Sequence, residues 1–70
     1  MVLQELSPRE TDVIWLIVDG KANKEIAHEL GLAESSVKGH VEEILRRLEA
    51  MNRTDATAKW LALDRQRPGA

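Results

Sequence analysis

The sequence contains no cysteine, no phenylalanine and no tyrosine, and only two prolines among 70 residues. Without cysteine, disulfides, thiol chemistry and zinc–thiolate sites are excluded. Without Phe or Tyr, a core must be built from aliphatic side chains, with Trp15 and Trp60 as the sole aromatics. No apolar run is long enough to span a bilayer or to serve as the apolar stretch of a signal peptide, so a soluble, cytoplasmic chain is expected. An excess of positive charge is missing as well. The formal net charge is -2, which counts against a nucleic-acid binder, whose domain is usually basic.

What is present is a chain 43% hydrophobic and 31% charged. That supports one small domain able to fold without metals or disulfides. The charge is unevenly placed. Residues 1–20 set Arg9 against Glu5, Glu10, Asp12 and Asp19, a net of −3. Residues 21–54 balance six basic against six acidic side chains, and residues 55–70 carry a net of +1. The acid is therefore concentrated in the first segment.

Helical signals recur along the chain. In "LSPRETDVIWLIVDGK", Ser7 fits an N-cap, Pro8 fits the first helical position and Glu10 completes a capping box. Val13, Ile14, Leu16 and Ile17 supply an apolar face, with Trp15 read as core, and Gly20 can end the helix. "NKEIAHELG" predicts a second helix, capped by Asn23 and ended by Gly31, with Ile26, Ala27 and Leu30 on one face. Leu32 plugs the core after the turn. A third helix begins near Glu34, because Val37, Val41, Ile44, Leu45 and Leu48 form one stripe at helical spacing. A fourth follows "MNRTD" with Thr54 as its cap; Ala56, Trp60 and Leu63 form one row, and Thr57 and Leu61 its neighbour. "RQRPGA" reads as a frayed tail. With neither repeats nor a strand pattern, the fold class is all-α, with four short helices.

Helices two and three are separated only by the residues around Gly31 to Ala33, and Ala27 is small where they would cross. A helix-turn-helix requires such a connection, but the same spacing suits any αα-hairpin in a small bundle. The whole pattern is more specific. Leu6-Ser7-Pro8-Arg9-Glu10, Asn23-Lys24-Glu25-Ile26-Ala27, Ser36-Val37-Lys38-Gly39-His40-Val41 and Asn52-Arg53-Thr54 resemble, in order and spacing, the C-terminal DNA-binding domain of the LuxR/NarL/FixJ family. The resemblance covers about residues 6–63. It leaves residues 1–5 as an N-terminal extension or linker remnant and 64–70 as a flexible tail. It implies a tetra-helical helix-turn-helix domain for sequence-specific regulation of bacterial transcription, the output domain of a two-component response regulator or related signal-responsive regulator. It further implies that helix three enters the major groove of double-stranded DNA and that helix four pairs two subunits, with Ala56, Thr57 and Trp60 at the interface. RNA polymerase is a further partner it admits. A receiver or ligand-binding domain normally precedes such a module, so the chain is expected to be an excised fragment or a stand-alone regulator. A different class is a protein-interaction module on the same fold, with DNA binding reduced or lost, motivated by the acidic balance and by Gly39. No nucleophile–base pair or metal-ligand cluster is apparent, so neither enzyme activity, a cofactor nor a metal is expected.

At about 100° per residue, the positions opposite the apolar stripe of helix three are Ser35, Gly39, Glu42, Glu43 and Arg46, flanked by Ser36, Lys38 and Arg47. This nominates Ser35, Lys38, Gly39 and Glu42 for base edges, the same four positions that the resemblance implies. Lys38 leads, since a flexible ammonium can donate to guanine O6 or N7. Lys24, Ser36 and Arg46 are assigned to phosphates. Helix N-terminal amides can add to these. Competing readings accompany each. Glu34, Lys38, Glu42 and Arg46 alternate in sign four residues apart, and Glu43 with Arg47 makes a further such pair, each worth about 0.2–0.5 kcal/mol. For Glu42 and Glu43 such pairing is favoured over DNA contact, with acceptance from cytosine N4 as the sharper alternative for Glu42. His40 reads as a packed or boundary histidine rather than a metal ligand or catalyst, and His28, on the second helix, has no visible triad. Arg53 is either a partner for Glu10 or a phosphate contact. Trp60 belongs to the core or to a dimer face. Three positions depart from the family pattern: Ala33 where a Ser or Thr cap is frequent, Glu49-Ala50 where Gly-Val is frequent, and Gly39, which lacks a side chain where a reader often sits.

Overall fold

In a computed structural model, residues 5–66 are described. They form α1 (Pro8–Val18), α2 (Asn23–Leu30), α3 (Glu34–Arg47) and α4 (Arg53–Arg65), with no strand among the described residues. The first helix starts as the sequence dictates. Ser7 Oγ accepts from the Glu10 N–H at 3.1 Å, and Glu10 Oε1 accepts from the Ser7 N–H at 2.9 Å. Both orphan donors are thereby satisfied reciprocally.

Three of the helices end in one way. After α1, the Lys21 N–H reaches Leu16 O and the Gly20 N–H reaches Ile17 O. After α2, Leu32 reaches Ala27 O and Gly31 reaches His28 O. After α3, Ala50 reaches Leu45 O and Glu49 reaches Arg46 O. Each pair of bonds is a Schellman motif, which needs a left-handed residue at its centre. Gly20 (φ 85) and Gly31 (φ 67) meet that need freely. Glu49 (φ 53) is the sole non-glycine residue with positive φ among the described residues. The Glu49-Ala50 departure therefore leaves the helix stop intact and puts a side chain in a strained backbone position.

Two caps differ from the sequence reading. The cap of α2 is Ala22, not Asn23; lacking an acceptor of its own, Ala22 donates its N–H to Glu25 Oε1 at 2.8 Å. Asn23 is the first helical residue, and its Oδ1 accepts from Arg53 Nη1 at 2.6 Å. The cap of α4 is Asn52, not Thr54: Asn52 Oδ1 accepts from the Asp55 N–H at 2.9 Å. Thr54 lies inside the first turn. The fourth helix also continues through Asp64 and Arg65, beyond the expected boundary at 63. Residues 1–4 of the expected extension (1–5) and 67–70 of the expected tail (64–70) lie outside the described residues.

One aliphatic core joins the four helices. Val13, Ile14 and Ile17 of α1 meet Ile26 and Ala27 of α2, the stripe of Val37, Val41 and Ile44 on α3, then Leu48, and finally Ala56 and Trp60 of α4. Leu32 in the α2–α3 turn packs against it, half-buried. Full burial of each large aliphatic contributes about 1.5–3 kcal/mol. Trp15 departs from its expected core role: it is 37% exposed and lies edge-on to Trp60, with ring centroids 5.7 Å apart and planes at 78°. Trp60 occupies the interior instead, at 2% exposure.

Candidate nucleic-acid interface

Burying Val37, Val41 and Ile44 turns the opposite side of α3 to solvent. Ser35, Ser36, Lys38, Gly39, Glu42 and Arg46 are all exposed. At 100° per residue, Ser35, Lys38, Gly39 and Glu42 fall within a sector of about 100°, so the four positions nominated for base edges share one face. Only Gly31, Leu32 and Ala33 separate α2 from α3. Lys24, in the first turn of α2, is exposed as well. Ala33 caps α3 without a side-chain hydrogen bond. Glu34 in that turn opposes the positive end of the helix dipole.

The ion pairs on α3 differ from those its spacing allows. Glu43 binds both arginines: Arg46 through Nε at 3.2 Å and through Nη2, and Arg47 through Nε at 3.0 Å. The Glu43–Arg47 pair is thus formed as expected. The Glu34–Lys38–Glu42–Arg46 chain is not: among the described residues, Lys38 and Glu42 have no ion-pair partner within 4.0 Å. The reason is cooperative. Arg47 also lies 3.4 Å from the buried Glu10 carboxylate and donates to Glu5 O at 3.1 Å. That anchors it beside Glu43, and Glu43 then holds Arg46 on its other side. The Arg46 hydrogen bond, followed by the charges of Arg46 and Arg47, keeps the Glu43 carboxyl below its ordinary pKa despite an opposing desolvation effect. The Glu43 hydrogen bond raises that of Arg46. Arg46, assigned to phosphate, therefore starts from an internal pair, although its side chain stays 60% exposed.

The partner of Glu10 is Arg47, which local spacing did not indicate because the two residues lie on different helices. Arg53, half-buried, does not meet Glu10: it donates to Asn23 Oδ1 and, at 2.8 Å, to Lys21 O. These bonds pin the start of α4 to the α1–α2 junction and fix where α4 leaves α3. Beside them lies a shallow cleft of about 460 Å³, lined in part by Lys21, Thr54 and Thr57. No carboxylate, histidine or cysteine lines it, so it offers no acid–base pair. Among the described residues no group of three His, Cys, Asp or Glu side chains is placed to hold a metal ion.

The three positions expected at a dimer interface differ in exposure. Ala56 (0% exposed) and Trp60 (2%) face the interior of their own domain, and only Thr57 is half-buried. The row of α4 that turns outward is Thr54, Ala58 and Arg65, with Leu61 half-buried among them.

Comparison with known proteins agrees with this fold. Residues 4–60 match the family described as bacterial regulatory proteins, luxR family. The chain is 41% identical over 59 residues to the transcriptional activator protein CarR of Pectobacterium carotovorum subsp. carotovorum, covering 84% of this chain and 24% of CarR. It is 40% identical over 63 residues to the nitrate/nitrite response regulator protein NarL of Escherichia coli K12, covering 90% of this chain and 29% of NarL. It is 41% identical over 54 residues to the transcriptional regulatory protein DesR of Bacillus subtilis 168, covering 77% of this chain and 27% of DesR. The chain thus spans about a quarter of the length of the curated relatives it matches.

Proposed function

The chain belongs to the luxR family of bacterial regulatory proteins, a DNA-binding module of transcription regulation, and we propose that it is the output domain of a signal-responsive regulator that sets α3 in the major groove. The observation that carries this reading is the outer face of α3: its opposite side is fully engaged in the core, while Ser35, Lys38, Gly39 and Glu42 are exposed directly after a three-residue turn. Lys38 donates to guanine, and Lys24, Ser36 and Arg46 contact phosphates that set the register. Two copies bind repeated half-sites, paired along the outward row of α4. Linking the half-sites raises an affinity that few basic residues per subunit would leave weak and salt-sensitive. RNA polymerase is a further partner in this reading. The site of action is the cytoplasm; among the described residues no helix is long and apolar enough to cross a membrane.

Lys38→Ala tests the reading. The variant is expected to lose about 1–3 kcal/mol of specific binding and its preference at one base position. Wild-type affinity and preference in that variant would remove Lys38 as a reader. The second reading, an interaction module with reduced DNA binding, is favoured by one observation: Arg46 is held by Glu43 while Glu42 is left unpaired on the same face.

A further inference from the structure

Glu42 is the only acid on the row formed by Ser35, Lys38, Gly39 and Glu42, and its charge is not neutralised by an ion pair among the described residues. Both arginines that follow it are drawn to Glu43. A carboxylate is an acceptor only. Held against a major groove without a donor to meet it, it would face acceptors and phosphates of its own sign. The groove offers two donors, adenine N6 and cytosine N4. The adenine amino group sits beside N7, an acceptor that repels a carboxylate, whereas guanine and thymine present acceptors there. The cytosine amino group has no acceptor beside it on its own base. Of the groove's donors, the cytosine amino group is therefore the best match for a carboxylate at Glu42.

A glutamate is short, so the helix must come close for it to reach. Gly39, one turn earlier on the same row, lacks a side chain, and a Cβ built there would meet nothing within 4 Å. The fold itself does not require the glycine. A bare backbone at that point leaves room for the row to come closer to the base edges. Lys38 stands one turn from Glu42, about 6 Å along the axis, which corresponds to roughly two base steps of about 3.4 Å. We propose that Gly39 and Glu42 together form a close-approach cytosine reader, paired with a guanine read by Lys38 within about two base steps. This rests on the reading of α3 as the major-groove helix.

The test is selection from a randomised duplex DNA library at low salt with the 70-residue chain, Glu42→Ala and Glu42→Gln. The wild-type motif is expected to contain a cytosine whose preference disappears in Glu42→Ala. In Glu42→Gln that position is expected to shift toward adenine, whose N6 and N7 match a side-chain amide. Titration of the selected duplex against one with that C·G pair replaced by T·A should show about tenfold discrimination or more by the wild type, nearly absent in Glu42→Ala. Equal helical circular dichroism of the three proteins excludes misfolding as the cause. An unchanged cytosine in both variants overturns the cytosine reader and leaves DNA reading by α3 intact. Absence of any enriched motif with the wild type overturns both.

Discussion

Gly39→Ala should make the domain more stable and a poorer DNA binder at the same time. Gly39 lies well inside α3 and has no positive φ, so an L-residue fits its backbone. An added Cβ meets no atom within 4 Å, so no clash offsets the gain. Glycine in a helix interior costs about 1 kcal/mol relative to alanine. The unfolding free energy is therefore expected to rise by about 1 kcal/mol, which in a domain of this size raises Tm by about 4–8 °C. Thermal and urea unfolding followed by circular dichroism read the first effect. Fluorescence anisotropy with a selected duplex reads the second, where a methyl group between helix and bases should weaken binding about tenfold, or ~1.4 kcal/mol. Unchanged or tighter binding by the stabilised variant would refute the close approach at residue 39. Unchanged stability would refute the placement of Gly39 on an open helical face.

Glu49→Gly should stabilise by about 1 kcal/mol, because glycine adopts the left-handed conformation without the penalty of a Cβ; the Lys59 bond to Glu49 O uses the backbone and survives the change, and denaturant unfolding checks it. Glu43→Gln releases Arg46 and removes a negative charge beside the reading face, so affinity for duplex DNA at low salt should rise several-fold, read by anisotropy; unchanged affinity would mean that the pair does not compete with phosphate. Glu43 and Asp55 both have depressed folded-state pKa values, Glu43 through Arg46 first and Asp55 through the Met51 N–H first and then Lys59. Their stabilisation is therefore complete above the ordinary carboxylate values of about 4 and is lost as pH falls through the lower folded-state values. Tm should drop on that acid limb, and less steeply in Asp55→Asn.

Local chemistry made much of the fold legible. The Ser7–Glu10 box, the stop at Gly31 and the stripe of α3 all depend on residues within a few positions of one another, and each is formed. The face of α3 follows from that stripe. Most of the differences come from contacts between distant segments, whereas the cap of α4 is decided locally, between neighbouring candidates. Asn23 and Thr54 are good caps by type, yet Asn23 is drawn to Arg53, thirty residues away, and Asn52 takes the role assigned to Thr54. Two apolar rows on α4 left Trp60 open between core and surface; packing sends it inward and leaves Trp15 at the rim. The pairing of Glu42 with Arg46 satisfied helical spacing but lost to Glu43, which Arg47 supports through its contact with Glu10 on another helix.

The central claim is that the outer face of α3 meets DNA. Its most direct measurement is an amide NMR titration of the ¹⁵N-labelled chain with selected and with random duplex DNA at low salt and then at increasing salt. The expected shifts cluster on Ser35–Arg46 and around Lys24, are larger with the selected duplex, and fade as salt rises. Shifts confined to α4, or none in Ser35–Arg46 at low salt, would contradict it.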